Sequence, residues 1–354
     1  MMGRFCVLLW ILLAFFIPRI LTAQATWKTS HRLQAGAERD DNIFETPQNQ
    51  IGTLAGRLLY SNQTQGRWTK TALSLNYSGA LQFYPEYFEE NKTIHQANGR
   101  LQWRLNNRLS ISGLLRGNAK IYFDAPFDFA NTFSGLSFDF RLPHQLVLTL
   151  TANSSRLDYA ESDQFDYTGR GVGVKLQRTL GGSANLEGSL FFNKLDYLRI
   201  ARTLREELTG PILSPLPFDQ EDEQVGAQIR LRFGRKYLAH LAGEYLQNDA
   251  NSFGYSYDQF RISAILGLKL GRPWLLRIAA MRQFKSYRED IAPIIQRTLD
   301  PESDESNFLV ADLSYNYTSK LTYLIRLAYY KNEAAQRSRF YRKTQLFIGG
   351  EFRF

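Results

Sequence analysis

Hydrophobic and polar residues alternate in short segments along most of this chain, with the period of a β-strand that has one apolar face. The alternation is clearest in Ala97–Leu105, Leu109–Leu115, Leu136–Phe140, Leu146–Ala152, Leu186–Phe192, Phe260–Leu268, Leu309–Tyr317 and Leu321–Tyr329. It is weakest in the first two segments, Thr29–Glu38 and Thr53–Tyr60. Because such segments recur about every 20 residues with turn residues between them, the pattern predicts a succession of antiparallel hairpins.

Connections of two lengths join the predicted strands. The short ones contain residues that suit the backbone angles of tight turns, and they are Ser61–Gly66, Asn106–Asn107, Pro143–His144, Gly181–Gly182, Gly234–Lys236, Gly271–Pro273 and Ser319–Lys320. The long ones are Arg39–Gln50, Ser78–Lys92, Lys120–Asn131, Leu157–Asp166, Lys194–Glu221, Gln247–Tyr257, Lys285–Ser306 and Lys331–Arg339. The segments between them predict sixteen strands, with fourteen as the second choice, and an even number places both chain ends on the short-turn side.

The composition has to be reconciled with these strands. Charged residues make up 22% of the chain, and the mean hydropathy is −0.33. A transmembrane barrel can remain this polar, because only every second residue of a strand faces lipid, and 19 Tyr, 25 Phe and 5 Trp suit its interfacial girdles. A secreted all-β globule is the alternative, but its inner faces would not carry the arginines described below. The predicted fold class is therefore all-β, a transmembrane antiparallel up-and-down β-barrel.

The first 25 residues have the pattern of a cleaved signal peptide. Arg4 precedes an apolar run from Phe5 to Ile17, and small residues follow at Ala23 and Ala25. A membrane anchor is the alternative, but the run is shorter than the roughly 20 residues that span a bilayer. The single cysteine, Cys6, lies in this segment, so a chain starting at Thr26 has no disulfide or thiol chemistry. Residues 26–354 are predicted to form one barrel domain.

The last segment, Tyr341–Phe354, alternates and ends on an aromatic residue. Its outward face carries Leu346, Ile348, Phe352 and Phe354. This strand resembles the C-terminal signal by which bacterial outer-membrane β-barrels are recognised for assembly. The resemblance implies a Gram-negative outer-membrane protein, whose partners are the barrel-assembly machinery, outer-membrane lipid and lipopolysaccharide.

The inner faces of the predicted strands are rich in basic residues. The candidate lumen residues are Arg32, Arg100, Arg104, Arg116, Arg141, Arg230, Arg232, Lys269, Arg277 and Arg353. The predicted inner-face acids are fewer: Glu38, Asp139, Glu187, Glu244, Asp312 and Glu351. A ring of like charge in a pore concentrates counter-ions, which predicts a porin-like outer-membrane channel for passive diffusion or export of small anionic solutes or an acidic polysaccharide. The alternative is that ion pairs fill the lumen, leaving a closed or partner-gated barrel that serves as a structural, secretion or assembly component.

Two loop segments suggest further readings. The longest, Lys194–Glu221, begins with an amphipathic stretch and is interrupted by prolines, so it either constricts the pore or caps the rim. Residues 36–44, GAERDDNIF, are similar to the opening hairpin of β-barrel porins associated with exopolysaccharide loci and of the barrel domains of surface-lipoprotein assembly modifiers. Asp40, Asp41 and Asn42 offer oxygen ligands for Ca²⁺, but Asp and Asn are also turn formers, and the turn is the preferred reading. No metal or other cofactor is predicted.

Enzymatic and nucleic-acid-binding functions have little support in the sequence. Hydrolytic chemistry needs a histidine beside a hydroxyl or a carboxylate. Only His240 is predicted to face inward, and Glu244 lies roughly 13 Å further along the same strand. The net charge of +9 is dispersed along strands rather than clustered with aromatic residues, which excludes a nucleic-acid footprint. We expect a protein that is not an enzyme, and no feature specifies its oligomeric state.

Overall fold

A computed structural model describes residues 26–354 except 47, 126–127, 162, 182, 208–209, 235–236, 290–306 and 333–340. The predicted signal peptide lies outside the described residues. The strands are β1 Thr26–Asp40, β2 Thr53–Arg67, β3 Thr71–Phe83, β4 Lys92–Arg104, β5 Leu109–Tyr122, β6 Phe129–Leu142, β7 Leu146–Tyr159, β8 Tyr167–Leu180, β9 Ala184–Glu207, β10 Gly210–Gly234, β11 Tyr237–Ala250, β12 Tyr257–Lys269, β13 Trp274–Tyr287, β14 Asn307–Asn316, β15 Leu321–Asn332 and β16 Tyr341–Arg353. Short 3-10 turns occupy Phe88–Glu90 and Asp163–Phe165. None of the helical turns within these described ranges is long and apolar enough to cross a membrane.

The strands form one closed antiparallel sheet. Each strand pairs with its neighbours in sequence, and β16 pairs with β1 to close the barrel. The prediction of an all-β, sixteen-stranded up-and-down barrel is confirmed. The short turns, the start of β1 and the end of β16 lie at one end, which we call the short-turn end. The longer connections lie at the opposite, long-loop end.

Two predicted connections were wrong. Residues 61–66 are not a turn, because β1 and β2 remain paired as far as Thr26 and Arg67 and the chain reverses at 68–70. Residues 194–221 are not a loop, because most of them extend β9 and β10 into a hairpin whose strands remain paired to Glu207 and Gly210. Beyond Tyr197 this hairpin continues for roughly 30 Å past the end of its pairing with β8.

The projecting hairpin leans against a neighbouring loop. Its pairing is irregular between Pro215 and Glu221. The backbone N–H of Arg202 donates to Ser252 Oγ at 3.1 Å, and the N–H of Phe253 donates to the Arg202 carbonyl at 2.8 Å. These bonds hold the hairpin to the connection between β11 and β12, at the rim of the long-loop end.

Side chains alternate between an apolar outer face and a polar inner face. Exposed outer-face residues include Leu101, Leu136, Val172, Ile229 and Ile262. Near the short-turn end the outer face carries exposed aromatic residues: Trp103, Tyr237, Trp274, Tyr317, Tyr323 and Phe354. A band of exposed apolar side chains suits contact with lipid, and aromatic rings suit the level of the membrane–water interface.

The seam between β1 and β16 is closed by two glycines. Gly36 lies directly opposite Gly349, and the ring of Phe347, 1% exposed, covers both. A Cβ on Gly36 would lie 2.6 Å from the Phe347 ring, and it would also overlap the Ile348 carbonyl. Only glycine therefore permits the two strands and the ring to approach this closely.

A buried polar cluster, which we call the seam latch, fastens the first loop to β16. The Lys343 ammonium lies 3.0 Å from Asp40 Oδ2 and 3.1 Å from Glu45 Oε1. Asn42 donates to the Arg342 carbonyl at 2.9 Å, and the N–H of Thr344 donates to Asp41 at 2.6 Å. The oxygen atoms that would coordinate a Ca²⁺ ion therefore already accept hydrogen bonds from N–H groups or pair with the Lys343 ammonium. Asp40, Asp41 and Asn42 thus serve as turn residues.

Removing the cation of the seam latch should destabilise the barrel. We expect Lys343→Met to lower the free energy of unfolding by about 3–5 kcal/mol, because Asp40 is then left as a buried, uncompensated charge. The measurement is urea unfolding of the detergent-solubilised barrel followed by tryptophan fluorescence. Lys320→Met, in an exposed turn, is the control, and Asp40→Asn combined with Lys343→Met should recover part of the loss. Equal stability of the two single variants would show that the latch contributes nothing.

Candidate functional site in the barrel lumen

The candidate site is the inner wall of the barrel. Strand pairing places all ten candidate lumen residues on the inner face, as shown by their cross-strand partners: Arg32 opposite Ser61, Arg100 opposite Ser74, Arg104 opposite Ser110, Arg116 opposite Asn98, Arg141 opposite Val147, Arg230 opposite Glu187, Arg232 opposite His240, Lys269 opposite Leu275, Arg277 opposite Asp312 and Arg353 opposite Arg32. The ten residues separate into two groups by the partners of their side chains.

One group makes ion pairs with carboxylates of the inner face. Arg230 lies 2.9 Å from Glu187, whose second oxygen is 3.8 Å from Lys175. Arg277 lies 2.9 Å from Asp312, which also accepts from Arg326. Arg100 and Asp139 are 4.0 Å apart, and Arg353, at the short-turn end of β16, pairs with Glu351 at 2.7 Å. These carboxylates neutralise much of the basic charge of this group.

The other group has no acidic partner among the described residues. Arg104 donates only to the Thr69 carbonyl at 3.3 Å, and the Arg116 guanidinium lies 5.9 Å from the centre of the Phe133 ring. The remaining members are Arg32, Arg141, Arg232 and Lys269, all with exposed side chains. Arg104, Arg141, Arg232 and Lys269 lie near the short-turn end of their strands, and Arg32, in the middle of β1, lies opposite Arg353, the last residue of β16. We call these five residues the mouth ring.

Charge is distributed unequally between the two ends of the barrel. The described turn residues at the short-turn end include Lys70, Arg108, Arg272 and Lys320 and contain no Asp or Glu. The described long connections carry acids, including Asp41, Glu45, Glu86, Glu89, Asp128 and Asp163. The described turns at the short-turn end are therefore basic, whereas the described long connections are mainly acidic.

A cavity of about 600 Å³ lies along the inner wall, and it was not predicted from the sequence. One side is formed by β13 to β16 and carries Arg277, Asp312 and Arg326. The other side is formed by β2 to β5. Besides Arg57 and Arg116, it carries a group of uncharged hydrogen-bonding side chains: Ser61, Gln63, Asn76, Ser78, Gln96, Asn98 and Asn118. Each amide occupies an inner position of its strand, so the alternation of each strand could have predicted that these amides face the lumen.

Inward-facing aromatic residues line the long-loop end. Tyr122, Tyr159, Tyr167, Tyr257 and Tyr287 lie at inner positions near the long-loop ends of their strands, and Tyr197 lies where the pairing of β9 with β8 ends. Cations rest on several of them: Arg199 lies 4.3 Å from the Tyr197 ring centre, and Lys285 lies 4.1 Å from that of Tyr257. The sequence reading assigned aromatic residues to the lipid interface, and it missed this inner collar.

Two titratable groups lie in connections next to this collar. Burial, with smaller contributions from Asp158 and Asp163, raises the pKa of Asp166 to about 6, although the hydrogen bond from the N–H of Tyr159 opposes the shift. Burial also raises the pKa of Tyr84 well above its ordinary value, so its hydroxyl remains protonated at neutral pH. The packed tyrosine belongs to a cluster with Ile43 and Ala55 under the first loop.

The described residues contain no arrangement typical of hydrolysis or metal binding. His240 makes no side-chain hydrogen bond with another described residue, and Glu244 accepts from Gln228 at 2.7 Å and lies 3.6 Å from Arg261. His31 and His95 lie on the outer face and hydrogen-bond to Tyr60 and Tyr77. Within the described ranges, no group of three or more His, Cys, Asp or Glu side chains is placed to hold a metal ion.

Comparison with known proteins shows similarity of structure only. No protein-family model matches this sequence, and no curated protein matches it. A loop-deletion mutant of OmpT, an outer membrane protein of Vibrio cholerae, superposes with a TM-score of 0.50 at 10% identity over 94% of this chain and 100% of that chain.

Two further solved structures are similar over nearly their whole length. Acinetobacter baumannii OccAB3 has a TM-score of 0.47 at 11% identity, with 93% and 99% of the two chains covered. A BenF-like porin from Pseudomonas fluorescens Pf-5 has 0.47 at 9% identity, with 92% and 99% covered. The Vibrio cholerae likeness, together with the closed sixteen-stranded sheet, shows that this chain has the fold of an outer-membrane β-barrel protein.

Proposed function

We propose that this protein is an outer-membrane channel for the passive diffusion or export of small anionic solutes or an acidic polysaccharide. In this proposal the signal peptide is cleaved near residue 25, the short-turn end faces the periplasm, and the outer face of β16 with Leu346, Ile348, Phe352 and Phe354 directs assembly. An apolar outer face around a polar inner wall suits a channel in lipid.

The observation that carries the anion preference is the mouth ring. Its members face the lumen without an acidic partner in the described part of the chain, whereas basic residues deeper in the wall are neutralised by Asp139, Glu187 and Asp312. Unpaired cations at a narrow opening raise the local anion concentration and repel cations. Arg100, Arg230 and Arg277 do form ion pairs with inner-face carboxylates, so the anion preference is assigned to the mouth ring alone.

The test is the conductance of the refolded barrel in a planar bilayer under a salt gradient. We expect a steady open state and a reversal potential with the sign that indicates higher permeability for anions than for cations. Low ionic strength is preferable, because screening at 0.1 M salt acts over about 10 Å and would weaken the field of the ring. A cation-selective pore would overturn the anion assignment, and a folded barrel that never conducts would overturn the channel itself.

A further inference from the structure

Two rows of inner-face side chains cross the barrel wall, one from β16 to β6 and the other from β1 to β6. The first row joins Arg353, Arg32, Ser61, Ser78, Gln96, Asn118 and Asn131 through successive cross-strand pairs. The second joins Ser30, Gln63, Asn76, Asn98, Arg116 and Phe133 in the same way. We call the two rows together the polar track.

The polar track leads from one mouth towards the other. Arg353 is the last residue of β16, at the short-turn end, whereas Asn131 is the third residue of β6, next to a long connection. A row of hydrogen-bonded neighbours changes height in this way because barrel strands are tilted and staggered. Most members of the track line the 600 Å³ cavity.

The amides of the track are not engaged with the protein. The side chains of Gln63, Gln96, Asn98 and Asn118 make no hydrogen bond to any described residue, and Asn76 has one contact, to Ser74 at 3.5 Å. Some inner-face amides elsewhere are engaged: Gln82 donates to Glu38 at 2.9 Å, and Gln228 donates to Glu244 at 2.7 Å. The track differs from the rest of the wall because its five amides, free or weakly bonded, lie together on four neighbouring strands, β2 to β5. This concentration of free donors and acceptors points to a ligand that offers both.

Two arginines without acidic partners complete the track. Arg32 lies in the first row and Arg116 ends the amide part of the second. Hydroxyl groups both donate and accept, as amides do, while carboxylates match guanidinium groups. Neighbouring members stand one strand apart, about 4.8 Å, which is close to the repeat of an extended pyranose chain.

We propose that the polar track binds an acidic saccharide chain, with its hydroxyls on Gln63, Asn76, Gln96, Asn98 and Asn118 and its carboxylates on Arg32 and Arg116. The proposal rests on the proposed channel function and assigns the substrate class of the same lumen. It differs from a general preference for anions, because the amides contribute affinity only for ligands with hydroxyl groups.

The test compares three ligands of similar length by calorimetry on the folded barrel in detergent: tri-galacturonate, maltotriose and tri-glutamate. We expect tri-galacturonate to bind at least about tenfold more tightly than the other two, because only it uses both kinds of group. Replacing Asn76, Asn98 and Asn118 by Ala should weaken tri-galacturonate about tenfold and leave tri-glutamate unchanged. Arg116→Gln should weaken both acidic ligands and leave maltotriose unchanged.

Controls keep the test independent of folding and of conductance. Gln224→Ala removes an inner-face amide of β10 outside the track and should change nothing, while Asn98→Asp preserves size and should repel the acidic ligands. Equal binding of tri-glutamate and tri-galacturonate, or indifference to the three alanines, would show that the track is only a hydrated wall. If maltotriose bound as tightly as tri-galacturonate, and Arg116→Gln changed the binding of neither, the track would be a site for neutral sugars. If the barrel conducts normally but binds no saccharide, the saccharide site is wrong and the channel function stands. If it binds tri-galacturonate but does not conduct, the saccharide site stands and the channel function is wrong.

Discussion

Reversing three charges of the mouth ring should abolish or invert the selectivity of the channel. We expect Arg104→Glu, Arg141→Glu and Arg232→Glu together to lower the ratio of anion to cation permeability by roughly tenfold or more. These side chains are exposed, face the lumen and have no acidic partner in the described part of the chain. Their replacement therefore reverses the sign of three charges at the opening, and with it their contribution to the electrostatic potential, without breaking an ion pair. The reversal potential under a salt gradient measures the change.

A second triple variant separates the ring from the general charge of the same end. Arg108→Glu, Arg178→Glu and Arg272→Glu change the net charge equally, but Arg108 and Arg272 lie in turns and Arg178 faces outward, opposite Leu146. We expect this variant to retain most of the anion preference, because salt screens the effect of exposed charges that lie at a distance from the pore on the ions inside it. If the two triples shifted the reversal potential equally, the ring would have no special role and the whole mouth would act as a diffuse field.

The fold was predictable from the sequence because barrel strands impose a period of two on residues that face lipid. Alternation gave the number of strands even where their ends were misjudged. The ends failed for a physical reason: lumen-facing residues such as Gln63 and Gln65 are as polar as turn residues, so the second strand seemed to stop early. The prolines and charges of residues 194–221 similarly indicated a loop, although the exposed edges of a projecting hairpin tolerate both.

The partners of the inner arginines could not be predicted in the same way. Glu187 and Arg230 are far apart in sequence and meet only through the pairing of β9 with β10. One strand shows that a residue faces inward, but the register of its neighbour decides whether a carboxylate lies across from it. The same holds for the polar track, whose members are scattered single residues until six strand pairings align them.

The seam between β1 and β16 is where a single added methyl group should have the largest structural effect. We expect Gly36→Ala or Gly349→Ala to lower the free energy of unfolding by roughly 3 kcal/mol and to reduce the yield of folded barrel, because overpacking forces backbone shifts. A Cβ on Gly349 would lie 2.5 Å from the Phe347 ring and would overlap the Ala35 carbonyl, so the two closing strands must separate. Urea unfolding in detergent measures the loss.

Gly113→Ala and Gly188→Ala are the matched controls, because an added Cβ meets no atom within 4 Å at either position. Both should stay within about 1 kcal/mol of the parent. Combining Gly36→Ala with Phe347→Leu distinguishes the two obstacles at the seam: removing the ring should recover only part of the loss, since the Ile348 carbonyl remains in the way. Complete recovery would mean that ring packing alone excludes the methyl group, and no loss in either glycine variant would mean that closure does not depend on close backbone approach.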